Sequence, residues 1–296
     1  MRITRYAASL AAVGIVLAGC ASEAGNESEE AAENTAEVAE DVQFDEGTTM
    51  AELAEEGSIT IGTKFDQPGF GLLNPNGDPE GFDVEIGKLI AAELGIAAED
   101  IEWVETVSAN RESFIQNGDV DMVVATYTIN DKRKELVDFA GPYYEAGQDI
   151  MVAKGNPENI EGPDDLAGKN VCSVEGSTPA QNIRDNYPEA SLTLFDVYSK
   201  CADALANGQV DAVTTDNVIL TGLVAGSPDA FELVGNPFTE EPYGIGITKG
   251  DDEFRTFIND ILEESFDNGD WATAWDRTAG DITGTEAPEP PSVDRY

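Results

Sequence analysis

The chain has 296 residues and a formal net charge of −43 at pH 7, with 59 acidic side chains against 16 lysines and arginines. Such an acidic protein repels nucleic acid and anionic membrane surfaces, so neither is expected as a partner. The sequence contains no histidine, which excludes Ser-His and Cys-His catalysis and removes the commonest metal ligand. We therefore expect no metal, no cofactor and no nucleic acid.

The first 20 residues resemble a lipoprotein signal peptide. An apolar run from Ala7 to Ala18 follows two arginines, and Leu17-Ala18-Gly19-Cys20 has the form of a lipobox. About 12 apolar residues are too few for a transmembrane helix, which needs roughly 20. We expect cleavage before Cys20 and lipidation of its thiol, which would anchor the protein to the outer face of the cytoplasmic membrane.

Residues 21–56 are predicted to form an acidic, disordered tether. They carry 13 acidic side chains and no lysine or arginine, a composition that cannot bury a core. Only the end of this segment, from about Met50 to Glu56, has a pattern that is compatible with a short helix packed on the body.

The body alternates between predicted strands and helices. The first half contains a strand at 58–63, a helix at 83–94, a strand at 101–104, a helix at 111–116 and a strand at 122–125. The pattern restarts after Tyr144, with strands at 150–153 and 170–174, a helix at 179–185, a strand at 192–195 and a helix at 200–206. This repeated alternation is typical of an α/β fold with mostly parallel sheets.

One sequence pattern occurs twice. Phe114–Val123 and Ala204–Val213 each read as a helix that ends at Asn-Gly, followed by a Val-Asp pair and an apolar strand. Thr126 and Asp216 stand at the same distance from the glycine in the two copies. Both are expected at the carboxyl ends of strands, where open α/β sheets bind ligands.

The turn after the first of these strands has the features of an anion site. Thr126 and Thr128 follow the strand, and Asn130 is placed to cap a short helix. Arg133 lies in the first turn of that helix, where the helix dipole disfavours a cation. A bound anion explains the arginine, and Asp216 on a facing lobe would hold a cation. The expected ligand is therefore an α-amino acid.

The three cysteines have two different expected roles. If Cys20 carries the lipid, Cys172 and Cys201 remain as a pair in an oxidising compartment. We expect a disulfide between them, with two buried free thiols as the alternative.

Four groups of residues in the body form a recognisable set: Gly81-Phe82-Asp83-Val84-Glu85, the Ala125–Arg133 turn with Phe139 and Pro142-Tyr143-Tyr144, Gly168-Lys169 leading to Gly176-Ser177-Thr178, and Val210-Asp211 leading to Asp216. Together they resemble family 3 of the extracellular solute-binding proteins, the receptors of ABC amino-acid importers. The resemblance covers residues 57–278. It implies a two-lobed, periplasmic-binding-protein-like (type II) α/β fold with a two-crossing hinge, in which residues 57–146 and 240–296 form lobe 1 and residues 147–239 form lobe 2.

The resemblance also implies a role for individual residues. Arg133 would clamp the α-carboxylate of the ligand, and Asp216 would take the ammonium group. The other polar contacts would come from Thr126 and Thr128 in lobe 1 and from Ser177 and Thr178 in lobe 2. Either Phe65 or Phe70 would cover the ligand.

Within the family, the segment from Phe65 to Gly69, the Asn110-Arg111 pair and the two lobe 2 cysteines resemble actinobacterial glutamate-binding lipoproteins. Arg111 matches the arginine that members with acidic ligands use on the side-chain carboxylate, and Lys64 would assist it. The implied ligand is glutamate, with aspartate, glutamine and asparagine as alternatives. Arg111 as a solvated charge and Lys64 as a mere neighbour of the cleft are the competing interpretations.

Two other classes share this fold. Periplasmic dehydratases need a cleft carboxylate for proton transfer, but Asp216 is already assigned to the ammonium group. Signalling receptors add a further membrane helix or catalytic module, and no such pattern follows the body. We therefore expect a monomeric binding protein without catalytic residues, which delivers its ligand to an ABC permease.

Overall fold

The structure, a computed structural model, describes residues 37–296. The predicted signal peptide, the lipidation of Cys20 and the first part of the tether lie outside the described residues. Within residues 37–296, every helix is too short or too polar to cross a bilayer.

The strands in this range are, in chain order, β1 (Ile59–Thr63), β2 (Asp66–Gln67), β3 (Gly71–Leu73), β4 (Pro79–Glu80), β5 (Ile101–Glu105), β6 (Met122–Val123), β7 (Asp138–Ala146), β8 (Gln148–Ala153), β9 (Asn170–Val174), β10 (Ser191–Phe195), β11 (Ala212–Asp216), β12 (Phe231–Leu233) and β13 (Glu241–Ile247). The α-helices are α1 (Thr49–Glu56), α2 (Phe82–Glu93), α3 (Arg111–Asn117), α4 (Asp131–Lys134), α5 (Thr178–Asn186), α6 (Tyr198–Ala206), α7 (Asn217–Gly226), α8 (Asp252–Asn268), α9 (Asp270–Arg277) and α10 (Ala279–Thr283).

Two five-stranded sheets define two lobes. The strand order is β5-β1-β6-β13-β7 in lobe 1 and β10-β9-β11-β8-β12 in lobe 2. The chain crosses from lobe 1 to lobe 2 between β7 and β8 and returns between β12 and β13, which confirms the predicted two-lobed α/β class. The sheets are more mixed than predicted, because β13 and β8, the strands next to the crossings, pair antiparallel with their neighbours.

The duplicated sequence pattern has the same structure in both lobes. Gly118 and Gly208 end their helices in the left-handed region, with φ angles of 70° and 65°, which only glycine adopts without strain. Asp121 then accepts a hydrogen bond from the Thr60 amide at 2.7 Å, and Asp211 accepts the equivalent bond from Asn170 at 2.7 Å. The aspartate of each Val-Asp pair thus ties its strand to the neighbouring parallel strand.

Residues 39–49 of the predicted tether also pack on lobe 1, beside the short helix that the sequence allowed from about Met50 to Glu56. The Ala39 amide donates to the Ala92 carbonyl at 2.9 Å, and the Phe44 ring packs edge-on against Phe257. Helix α1, which was compatible with the sequence, buries Met50 and Leu53. Burial of these apolar side chains offsets the entropy cost of ordering an otherwise polar segment.

The last residues of the chain run beside β7, the outermost strand of the lobe 1 sheet. The Asp294 amide donates to the Gly141 carbonyl at 2.8 Å, and the Phe139 amide donates to the Tyr296 hydroxyl at 2.9 Å. The Tyr296 ring also lies 3.7 Å from Lys134 Nζ, a cation–π contact. These contacts fix the segment on the surface of lobe 1.

Lobe 2 contains a disulfide between Cys172 in β9 and Cys201 in α6, with Cα atoms 5.6 Å apart. This confirms the predicted pairing over two free thiols. Since α6 begins beside the space between the lobes, the bond ties that helix to the central part of the lobe 2 sheet.

Replacing both cysteines with alanine is expected to lower the free energy of unfolding of lobe 2 by roughly 3 to 4 kcal/mol, because the bond closes a 29-residue loop. Urea denaturation of the wild type and the double variant, each with and without a reductant, measures the effect. The reduced wild type should resemble the double variant, which itself should not respond to reductant. An unchanged midpoint in the double variant would contradict the prediction.

Candidate functional site

A small cavity of about 10 Å³ lies between the lobes. Its lining comprises Ser108, Arg111, Thr126, Thr128, Ser177, Thr178, Pro179, Tyr198, Asp216 and Ile219. Six of the eight predicted ligand-binding residues belong to this set. Arg133 lines an adjacent groove of about 300 Å³, and Lys64 reaches the cavity wall by donating from Nζ to Ser108 Oγ at 3.0 Å. The fold therefore brings all eight residues together.

Arg133 spans the mouth of the cleft. The predicted cap is present, since Asn130 Oδ1 accepts from the Arg133 amide at 2.9 Å. Nη1 of Arg133 donates to the Thr128 carbonyl at 2.6 Å, and Nη2 donates across the cleft to the Gly176 carbonyl at 3.0 Å. Burial and the nearby Arg111 lower the pKa of Arg133 to about 10, so the guanidinium stays charged at neutral pH.

The lobes approach each other closely at Gly176. This glycine has a φ angle of +78°, and a Cβ atom built on it would lie 2.7 Å from the Cα of Ala109 in lobe 1. A side chain at this position would therefore separate the lobes at the mouth of the cleft.

Arg111 and Lys64 form a buried cationic end of the cleft. Arg111 is 2% exposed, and its Nη1 donates to the carbonyls of Ala125 and Thr126 at 3.0 and 3.3 Å. Its Nε has no partner, and its Cζ stacks 4.2 Å from the centroid of the Tyr127 ring. Arg111 is therefore not the solvated charge of the competing interpretation.

Lys64 is 4% exposed, and its pKa is lowered by burial and then by the positive charge of Arg111. Within residues 37–296, neither Lys64 nor Arg111 makes a salt bridge. Buried cations without a paired anion are costly, so this end of the cleft is suited to a ligand carboxylate.

Asp216 provides a carboxyl group on the lobe 2 side of the cleft, at the end of β11. Its Oδ2 accepts from the Tyr243 hydroxyl at 2.7 Å, while the buried Oδ1 has no partner. Burial, followed by the nearby Glu241 carboxylate, raises the pKa of Asp216 to about 8. A ligand ammonium group beside Oδ1 would satisfy this oxygen and stabilise the ionised form.

The hydroxyl groups of Ser177 and Thr178, both in lobe 2, make different contacts. Thr178 Oγ1 contacts Thr128 Oγ1 at 3.2 Å and Glu241 Oε2 at 2.7 Å, and both of these residues belong to lobe 1. Ser177 caps α5, since its Oγ accepts from the Ala180 amide at 3.1 Å and donates to the Val174 carbonyl at 2.7 Å. The Ser177 hydroxyl must rotate away from Val174 before it can donate to a ligand carboxylate.

Thr126 is held in an unusual backbone conformation, with a φ angle of +45°. Its amide donates to Asp83 Oδ2 at 2.8 Å, and Asp83 Oδ1 accepts from the Tyr143 hydroxyl at 2.6 Å. Burial raises the pKa of Asp83 to about 7. The sequence showed Asp83 only as part of a motif, without a role; the structure shows that it holds the backbone of the turn at Thr126.

Ser108, Tyr198 and Glu241 are further residues at the site that the sequence did not single out. No local pattern marks them, because each reaches the cleft through a different element or lobe. Phe70 is fully buried among Phe82 and other core aromatics and does not line the cavity. Of the two candidate covering rings, only Phe65 is partly exposed.

The family model for bacterial extracellular solute-binding proteins, family 3, matches residues 59–279. Glutamate-binding protein GluB of Corynebacterium efficiens is 44% identical over 234 residues, which is 75% of this chain and 79% of GluB. Glutamine-binding protein GlnH of Bacillus subtilis is 41% identical over 257 residues, 86% of this chain and 89% of GlnH. A solute receptor for L-cysteine from Neisseria gonorrhoeae superposes with a TM-score of 0.76 at 31% identity, covering 80% of this chain and 96% of the receptor.

Proposed function

Because the chain belongs to family 3 of the bacterial extracellular solute-binding proteins, we propose that it binds L-glutamate between its lobes and delivers it to an ABC permease. In this proposal Arg133 and Thr128 hold the α-carboxylate and Asp216 holds the ammonium group. The side-chain carboxylate lies against Arg111 and Lys64. Thr126, Ser177 and Thr178 complete the polar lining.

The buried pair of Lys64 and Arg111 is the observation that carries the choice of glutamate. An amino acid needs one cation for its α-carboxylate and one anion for its ammonium group, and Arg133 and Asp216 supply these. The second carboxylate of glutamate would place a negative charge between the two remaining cations, which have no salt-bridge partner among residues 37–296. The 44% identity with GluB supports the same choice.

Glutamine is the second candidate, because the relative named for glutamine binding covers more of the chain than GluB does. Its side-chain amide would accept a hydrogen bond from Arg111 through the carbonyl oxygen. It would, however, leave both buried cations without a compensating charge. The cost of desolvating Lys64 and Arg111 would then not be offset, so glutamine should bind more weakly than glutamate. The difference in affinity between glutamate and glutamine therefore tests the proposed roles of Lys64 and Arg111.

The expected lobe boundaries, at residues 146/147 and 239/240, fall in the two connections between the sheets. We propose that bending there opens the cleft for ligand exchange, while the lobes move as rigid bodies. The proposed location is the outer face of the cytoplasmic membrane, through the lipid on Cys20. A tether that starts at Cys20 and joins lobe 1 at about residue 39 would keep the protein close to its permease.

Isothermal titration of the protein without its signal peptide against the proteinogenic amino acids tests the proposal. L-Glutamate is expected to bind most tightly, with L-glutamine at least about tenfold weaker because it lacks the second charge. Glutamate recovered from the complex should be unaltered, as for a carrier and not an enzyme. Tightest binding of a neutral or basic amino acid would refute the acidic-ligand assignment, and conversion of the ligand would refute the carrier function.

A further inference from the structure

A short segment of lobe 1, residues Asp66–Gly69, lies between two helices of lobe 2. We call it the clasp segment. At one end Asp66 contacts the start of α6, and at the other Pro68 packs against Gly222 in α7. None of its residues lines the small cavity or the adjacent groove. The contacts of Asp66 and Pro68 join the lobes, while Gln67 Oε1 accepts a hydrogen bond from the hydroxyl of Thr126, a proposed ligand residue, at 3.0 Å.

Helix α6 lacks a cap from its own lobe. The residue before the helix is Val197, whose side chain cannot accept a hydrogen bond, and no side chain of α6 takes this role. Asp66 Oδ2 instead accepts from the amides of Tyr198 and Ser199 at 2.8 and 3.2 Å. A carboxylate at this position satisfies two otherwise free amides and complements the positive end of the helix dipole.

The packing of the clasp segment on α7 leaves no room for a side chain. Gly222 is buried in the middle of α7, and a Cβ atom built on it would overlap the Pro68 carbonyl oxygen. Its φ angle is not in the left-handed region, so the helix itself does not require glycine here. Glycine disfavours a helix relative to alanine, which makes close approach of the other lobe the physical reason for it.

We propose that the clasp segment determines how tightly and for how long the ligand is held. Asp66 and Pro68 belong to lobe 1, whereas the start of α6 and Gly222 belong to lobe 2. Hinge opening must therefore break the contact of Asp66 with α6 and that of Pro68 with Gly222, and it leaves α6 without its cap. They stabilise only the closed form, and a ligand that binds in that form gains affinity from them. Asp66 is a positioning residue, because it fixes Tyr198, whose side chain lines the cavity. The inference rests on the proposed function for the identity of the ligand.

The test compares Asp66→Ala, Asp66→Asn, Gly222→Ala and Gly226→Ala in the protein without its signal peptide, with L-glutamate and L-glutamine as probes. Asp66→Ala should release either ligand about 2- to 30-fold faster, the range that corresponds to a lost helix cap, with little change in the association rate. Asp66→Asn should retain most of the affinity, because asparagine caps helices as well as aspartate does.

Gly222→Ala is expected to weaken binding of both probes by more than about tenfold, because closure must displace Pro68. Its ligand-free melting temperature should equal or exceed that of the wild type, which separates this effect from misfolding. Gly226→Ala is the matched control: it makes the same change in the same helix, where a Cβ meets nothing within 4 Å. Its affinity should equal that of the wild type.

Wild-type dissociation rates in both Asp66→Ala and Gly222→Ala would overturn the inference, as would an Asp66→Asn variant as weak as Asp66→Ala. If the wild type preferred glutamine, the proposed ligand would be wrong. The role of the clasp segment would then be judged from the dissociation rates and affinities of the variants relative to the wild type. If the wild type bound neither probe, the proposed function would fail. Small-angle scattering of the ligand-free proteins would then decide on the clasp, with a larger radius of gyration expected for Gly222→Ala than for Gly226→Ala and equal radii refuting it.

Discussion

Arg133→Ala is expected to abolish binding of glutamate and glutamine alike, with affinity reduced by more than about 100-fold. Every α-amino acid presents the carboxylate that this guanidinium is proposed to hold. Removing the cation would leave that carboxylate desolvated and unpaired, since the remaining donors are neutral hydroxyls and amides. The variant also loses the bond from Arg133 to the Gly176 carbonyl, which holds the lobes together at the cleft mouth.

Lys132→Ala is the matched control for this prediction. It removes the same charge from the same short helix, but Lys132 is exposed on the rim of the groove. Titration should find its affinities within about threefold of the wild type, as is usual for exposed charges. If Arg133→Ala bound glutamine as tightly as the wild type, the α-carboxylate would have to lie elsewhere, and the proposed orientation of the ligand would be wrong.

Arg111→Ala is expected to weaken glutamate binding by about 10- to 200-fold while affecting glutamine far less. A charge-assisted hydrogen bond to the side-chain carboxylate contributes roughly 1.5 to 3 kcal/mol, and a buried carboxylate without a partner costs more. Glutamine presents no second charge, so it loses a hydrogen bond in which only the donor is charged and no ion pair. The preference for glutamate over glutamine should therefore collapse in this variant.

The ratio of the two affinities is the decisive measurement, because Arg111 also donates to the Ala125 and Thr126 carbonyls. Any distortion of the turn around Thr126 would weaken both ligands equally and cancel in the ratio. Lys64→Met should change the ratio in the same direction, because it removes the second cation at a similar side-chain length. An unchanged ratio in Arg111→Ala would remove the main support for an acidic ligand, while Arg133 and Asp216 would still support an amino acid.

The fold was predictable where the signals are local. Glycine stops, short apolar runs and the repeated Val-Asp pair located most βα units of both lobes to within a few residues. The strands β7 and β13 were missed, because β7 is almost continuously buried and contains Gly141 and Pro142, which usually interrupt strands. The two strands pair with each other although the sequence of lobe 2 separates them, so no short sequence pattern predicts the contact.

The same distinction applies to the site. Thr126 and Asp216 stand after or at the ends of strands, and Arg133 lies in the helix that follows Thr126, so residue type and spacing pointed to them. Strand β6 nevertheless ends at Val123, earlier than predicted, because the chain turns towards the left-handed conformation of Thr126. The contact of Asp66 with α6 could not be predicted, since it exists only after both lobes have folded and closed.

The contacts along β7 have a consequence for encounters between copies of this protein. The outermost strand of a sheet exposes peptide groups that invite strand addition by another molecule, a common route to aggregation. Here the Gly141 carbonyl and the Phe139 amide are already bonded to Asp294 and Tyr296. Residues 294–296 thus occupy part of an edge that would otherwise be open to intermolecular β-pairing, which disfavours strand addition at β7.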